Sequence, residues 1–124
     1  MEAQKRHGDE PDTVADRSRV FARTVEKNPE KSALRTKRLG LWHDITFDQF
    51  CDQVEKIGCA LVSLGFEKGD TACIIGDNAV EWVVADLGIQ CVGGVSAGIY
   101  ATNAWQQVAY VVTHSDATVF VCGK

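Results

Sequence analysis

Much is missing from this chain of 124 residues, and each absence removes a class of function. A net charge of −4 gives no basic footprint for nucleic acid. The five cysteines, Cys51, Cys59, Cys73, Cys91 and Cys122, include no C-x-x-C pair, and His7, His43 and His114 lie far from them in sequence. Zinc sites usually show ligand pairs at close spacing, so no metal site is expected. An odd number of scattered thiols suits small buried hydrophobes in a reducing, cytoplasmic compartment.

Residues 1–31 hold no apolar segment of the kind a secretory signal needs, and Glu2, Asp9, Glu10, Asp12 and Asp16 argue against a mitochondrial presequence. From Leu87 to Ser115 there is no Asp, Glu, Lys or Arg, yet Gly93-Gly94, Gly98 and Thr102-Asn103 interrupt that span. A membrane helix needs about 20 predominantly apolar residues, so no transmembrane segment is expected. Neither G-x-G-x-x-G nor G-x-x-x-x-G-K-[ST] occurs, so both nucleotide-binding fingerprints are absent. The G-x-S-x-G nucleophile elbow is absent too. There is no internal repeat and no low-complexity tract.

What remains is an ordinary apolar content of 45% and an uneven charge. Residues 1–40 carry ten Lys/Arg against seven Asp/Glu, and residues 41–124 carry three against ten. Because acids interleave with the bases, residues 1–12 read as a solvated, disordered leader. Thr13 is a candidate cap for a helix with Asp16 in its first turn and Val14, Phe21 and Val25 on its apolar side; Asn28-Pro29 ends it. Ser32 to Leu39 and Leu41 to Thr46 then form a hairpin about Gly40.

Thr46-Phe47-Asp48-Gln49 has the form of a capping box. Phe47, Phe50, Cys51, Val54, Ile57, Leu61 and Leu64 follow at steps of three and four, the apolar face of an amphipathic helix, and Gly65 is placed for the left-handed position after its end. Three apolar strands come next: Thr71 to Ile75, Val95 to Ile99 and Thr118 to Cys122. The segments between them, after Asn78 and after Asn103, are helical and apolar on most sides. Strands alternating with helices of this length predict a parallel βαβαβ sheet with right-handed crossovers. Such a sheet is covered on both faces, and helices apolar all round are buried in larger proteins, so a partner layer is missing.

Candidate chemistry is sparse. Asp77 and Glu81, four apart, read either as an acid pair or as first-turn complements to a helix dipole, the commoner arrangement. His114, near a helix carboxyl end, reads as a dipole partner more readily than as a base. Gly76-Asp77-Asn78 and the segment from Gly98 to Asn103 follow strand ends, where α/β sheets bind ligands and where amides can hold an anion. Either could line a site, but most such loops in a sheet are simply connections.

Five segments in order resemble the adenylate-forming acyl-CoA synthetases over roughly residues 14–124. They are Asn28-Pro29-Glu30-Lys31-Ser32-Ala33-Leu34-Arg35, Leu64-Gly65-Phe66-Glu67-Lys68-Gly69-Asp70, and Ile74-Ile75-Gly76-Asp77-Asn78-Ala79-Val80-Glu81-Trp82. The fourth is Val95-Ser96-Ala97-Gly98-Ile99-Tyr100-Ala101-Thr102-Asn103, and the fifth Gln107-Val108-Ala109-Tyr110-Val111-Val112-Thr113-His114-Ser115. The last two tilt the resemblance to the long-chain fatty-acid type. The family often has prolines near Ala101 or Ala104, which this chain lacks.

The resemblance implies the amino-terminal part of a three-layer adenylate-forming fold, with residues 13–124 an incomplete portion of an AMP-binding domain. For the parent it implies a ligase that joins a fatty acid to coenzyme A with ATP and Mg2+, without nucleic acid and with peripheral membrane association left open. The family's phosphate loop, nucleotide motifs and catalytic lysine lie further downstream. The resemblance therefore assigns no catalytic, cofactor-binding or metal residue here, and no cofactor is expected to bind this fragment alone. The isolated fragment is expected to be poorly folded or to self-associate. Two rival readings are a non-catalytic fragment acting as a docking module, and a small flavodoxin-like nucleotide-binding domain.

Overall fold

The computed structural model describes residues 16–123. Helix α1 (Arg17–Lys27) is capped by Asp16, whose carboxylate accepts hydrogen bonds from the amide and the hydroxyl of Ser18. Those bonds hold the Asp16 carboxyl below its ordinary pKa. Asp16 is therefore the cap and not a first-turn residue; Thr13 and the leader at 1–12 lie outside the described residues. The chain then folds into a hairpin of β1 (Ser32–Arg38) and β2 (Leu41–Thr46), antiparallel with Arg38 opposite Leu41. Leu39 and Gly40, at φ 50° and 81°, make the two-residue turn, whose mirror-image geometry matches the strand twist.

Helix α2 (Phe47–Ser63) starts at a complete capping box: the Gln49 amide donates to Thr46 Oγ1 at 3.2 Å, and the Thr46 amide donates to Gln49 Oε1 at 3.0 Å. Phe50, Val54, Gly58 and Leu61 are its buried positions. Leu64 departs from the expected face, because the helix has already turned out through Gly65 (φ 86°) and leaves it 74% exposed.

Strands β3 (Thr71–Ile75), β4 (Val95–Ile99) and β5 (Ala117–Cys122) form a parallel sheet in the order β4-β3-β5. Helices α3 (Val80–Cys91) and α4 (Trp105–His114) link them. The α/β class, the hairpin, the amphipathic helix and the parallel pairing are as the sequence predicts.

The expectation for the two apolar helices divides. Helix α3 finds its partners within the chain. Ala85 and Ile89 meet Ala72 and Ile74 of the sheet in one core cluster, with Trp82 against it, while Val84 joins Phe50 and Val54 of α2 in the other. A helix held between a sheet and a second helix must be apolar on both sides. Gly88 makes the approach possible, since a Cβ there would lie 2.6 Å from Ile57 Cγ2. Asp86 accepts from Gln90 Nε2 at 2.9 Å and from the Ser96 hydroxyl, which ties α3 to β4.

Helix α4 has no such cover. None of its residues is buried; Trp105 is 75% and Tyr110 65% exposed. One face of the sheet is thus closed by α3 and α2, and the other carries α4 alone.

Two outcomes are expected. The 124-residue chain should bind a dye specific for exposed apolar surface and lack a sharp melt; a cooperative melt of a dye-free monomer would contradict the exposure argument. Gly88→Val should cost about 1–3 kcal/mol by overpacking, read as lost hydrogen-exchange protection of the β3 amides.

Candidate functional site

The carboxyl ends of β3 and β4 lie side by side, because Ile75 pairs with Ile99. The two loops singled out in the sequence therefore meet. Gly76, Asp77 and Asn78 on one side and Gly98, Ile99, Tyr100 and Ala101 on the other line a cavity of about 520 Å³, with Trp82 as its wall. Thr102 does not line it, and Asn103 belongs instead to a hollow beside α4. Gly98 keeps room for the indole, since a Cβ there would lie 3.1 Å from Trp82 Cζ2.

A second cavity of about 320 Å³ lies at the carboxyl end of β5, lined by Gly76, Asp77, Glu81, Trp82, Cys122 and Gly123 among others. Gly123 and Gly76 almost touch: a Cβ on Gly76 would come 3.2 Å from Gly123 Cα, and the Gly123 amide donates to the Ile75 carbonyl at 2.8 Å. Asp77 and Glu81 do not share a helix face, because α3 begins only at Val80 with Ala79 as its cap. They do line this same cavity.

His114 is remote from both cavities. It sits exposed in the last turn of α4, its ring stacked on Tyr110 at 5.3 Å between centroids, as suits a group placed for the helix dipole. Trp82 is the wall residue that sequence reasoning missed. In the chain it is one more apolar residue of a helix, and only the crossover sets it beneath both loops.

The electrostatics of the site point away from anions. Neither cavity is lined by Lys or Arg, and Asp77 sits at both. After Lys56 the sequence holds only Lys68 and Lys124 as cations. The Lys68 stem packs at Gly93, just before β4, at the opposite end of the sheet. Gly76 follows β3 and Gly98 lies within β4, opposite Ile74, and neither belongs to a glycine-rich loop. The residues present do not fit a triphosphate, and among the described residues no group of three or more His, Cys, Asp or Glu could hold a metal ion. The arrangement suits a neutral ligand with a flat apolar part, or a neighbouring segment of polypeptide.

A third hollow, of about 630 Å³, runs between α1, α2 and the end of α3, and Cys51, Cys59 and Cys91 all line it. Burial pushes the Cys51 thiol up from its ordinary pKa, and the Glu55 and Asp48 carboxylates add to the effect. Burial and the Asp16 carboxylate do the same for Cys91. A raised pKa leaves less thiolate at neutral pH, so both should be alkylated by iodoacetamide more slowly than glutathione. The gap should narrow as pH rises, read residue by residue by mass spectrometry; equal rates at neutral pH would overturn the raised pKa. The expectation of buried thiols holds for Cys73 alone, since Cys51 is half-buried and Cys59, Cys91 and Cys122 are exposed.

A family model described as AMP-binding enzyme matches residues 21–124. The long-chain-fatty-acid–CoA ligase ACSBG2 of Rattus norvegicus is 34% identical over 116 residues, which is 94% of this chain and 17% of that protein. Among solved structures, the amino-terminal subdomain of Klebsiella oxytoca NpsA in complex with 3-hydroxyanthranilyl-AMSN superposes with a TM-score of 0.80 at 17% identity, covering 90% of this chain and 28% of that one. The fatty acid AMP ligase from Legionella pneumophila gives 0.77 at 18%, covering 85% and 19%. Identities this low speak for the fold alone. This chain thus spans about a sixth of the length of the rat ligase it matches. Among the described residues no helix is long and apolar enough to cross a membrane.

Proposed function

The chain belongs to the AMP-binding enzyme family, and from that premise we propose that its parent protein is a long-chain fatty-acid–CoA ligase, of which residues 13–124 are an incomplete amino-terminal portion. The observation that carries this reading is the 34% identity to the rat long-chain-fatty-acid–CoA ligase across 94% of this chain. The parent reaction joins a fatty acid to coenzyme A through an acyl-adenylate, using ATP and Mg2+, in the cytoplasm or at a membrane surface.

On this reading residues 16–123 supply scaffold. The buried helix α3 and the parallel strands hold the loops at Gly76 and Gly98 beside one another, where they can abut the rest of the domain. Adenylation needs the triphosphate held by cations and amides as charge shifts to pyrophosphate, and stabilisation of that kind is usually the largest catalytic term. The cavities at the strand ends carry a carboxylate and no cation. The chemistry therefore belongs to residues outside this segment.

Incubated with ATP, magnesium, palmitate and coenzyme A, the 124-residue chain should release no pyrophosphate above a boiled control. A protein extended through the downstream part of the family's length should release it. Release by the short chain would relocate the chemistry. An extended protein that adenylates only acetate or aromatic acids would keep the family and overturn the long-chain assignment.

A further inference from the structure

The β1–β2 hairpin ends in a turn that breaks its own rule. Two-residue turns of this mirror-image type need φ above zero at both central positions, and Asn-Gly is the pairing that suits them. Gly40 fits. Leu39, at φ 50°, does not, because a bulky side chain there carries a steric cost that asparagine or glycine avoids. Its side chain is fully exposed and gains no packing in return. A residue that is costly to the backbone and unburied is a place to look for function.

The residues beside it complete a pattern. Lys37 stands opposite Trp42 and Arg38 opposite Leu41, and directly opposed residues share a face of the sheet. Each face of the tip therefore sets one cation beside one apolar side chain, with Leu39 at the apex. Leu41 and Trp42 are each 67% exposed, and Lys37 Nζ lies 5.8 Å from the centre of the Trp42 ring. The hairpin joins the core through Ala33, Leu34 and Ile45, near its base. The tip is not an unfinished piece of that core. Closing it under further apolar polypeptide would bury the charges of Lys37 and Arg38, and Asp44, the acid of the hairpin, is already held by Arg35 at 2.7 Å. The chain leading to the tip carries the same sign, with eight Lys/Arg against two Asp/Glu in residues 17–38.

We propose that the tip of the β1–β2 hairpin is a docking site for a membrane surface rich in anionic lipid. An end-on approach puts Leu39 into the boundary between headgroups and acyl chains. Trp42 then lies at headgroup level, where indole rings, apolar at one end and polar at the other, settle. Lys37 and Arg38, two residues and one residue back from the apex, keep their charges on the phosphates while their stems follow the apolar side chains inward. Leu39 also distinguishes lipid from a soluble polyanion, which would have no use for a leucine at the apex. Attraction by a few bases and shallow insertion of one leucine give a reversible, salt-sensitive attachment. The site stands on the hairpin and not on the ligase reading, so pyrophosphate release and vesicle binding can fail separately.

Flotation of the 124-residue chain with vesicles tests the proposal. The chain should float with phosphatidylcholine vesicles that contain phosphatidylserine and not with phosphatidylcholine alone, and added salt should release it. No binding to the phosphatidylserine vesicles, or equal binding to both, would overturn the proposal. Leu39→Asn supplies a residue the turn prefers, so the hairpin keeps its fold, and it should weaken binding about tenfold by removing the inserted side chain. Lys37→Glu combined with Arg38→Glu should abolish binding. Trp105→Gln, on the exposed helix α4, should leave it unchanged. Loss with Trp105→Gln and full binding by Leu39→Asn would place the contact at α4 and refute the hairpin. Salt-sensitive binding that Leu39→Asn leaves intact would mark a polyanion site and refute the lipid one. Trp82→Phe combined with Trp105→Phe leaves Trp42 as the sole indole. Its emission should shift to the blue on phosphatidylserine vesicles, and an unshifted spectrum would overturn insertion of the tip.

Discussion

Helix α3 has to be apolar on two sides at once, and the rest of this structure depends on that. It lies between the parallel sheet and α2, with Ala85 and Ile89 turned to one and Val84 to the other. Gly88 lets the two helices close to a distance that a side chain would forbid. With α3 in place, β3 and β4 are parallel neighbours and their carboxyl ends are adjacent. Buried apolar area is the main driving term in such packing, and here it is concentrated on one face of the sheet.

The same packing explains the functional character of the segment. Cavities form where the loops after β3 and β4 diverge over Trp82, the place where α/β sheets commonly receive ligands. Position alone does not make a phosphate site. The basic residues are gathered in the first 40 positions and in the hairpin, and Lys68 stands at the opposite end of the strands. A scaffold that presents loops to neighbouring polypeptide fits this charge distribution better than a nucleotide pocket does.

The uncovered face has the opposite origin. Helix α4, apolar on most sides, packs chiefly beside β5 and leaves Trp105 and Tyr110 in solvent. Parallel sheets are found covered on both faces. The imbalance between a closed α3 side and an open α4 side makes the β5 edge and its helix the natural place for further polypeptide to settle.

Local chemistry determined most elements by itself. The Thr46–Gln49 box, the glycines at 40 and 65, the strand spans and the break at Asn28-Pro29 depend on near neighbours in the chain, so their signals survive in the sequence. Family membership was legible for a related reason, since five segments kept their order. Only the tertiary structure decided the rest. The strand order β4-β3-β5 brings Gly76 to Gly98 and to Gly123, and it sets Trp82 beneath both loops; these pairings link residues far apart in the chain and leave no local signature. The sequence pattern also could not separate α3 from α4. Both are apolar on most sides, and whether an apolar side is core or surface depends on which element packs against it. For α3 that element is α2, docked through Gly88; for α4, within the described residues, β5 lies on one side and nothing covers the other.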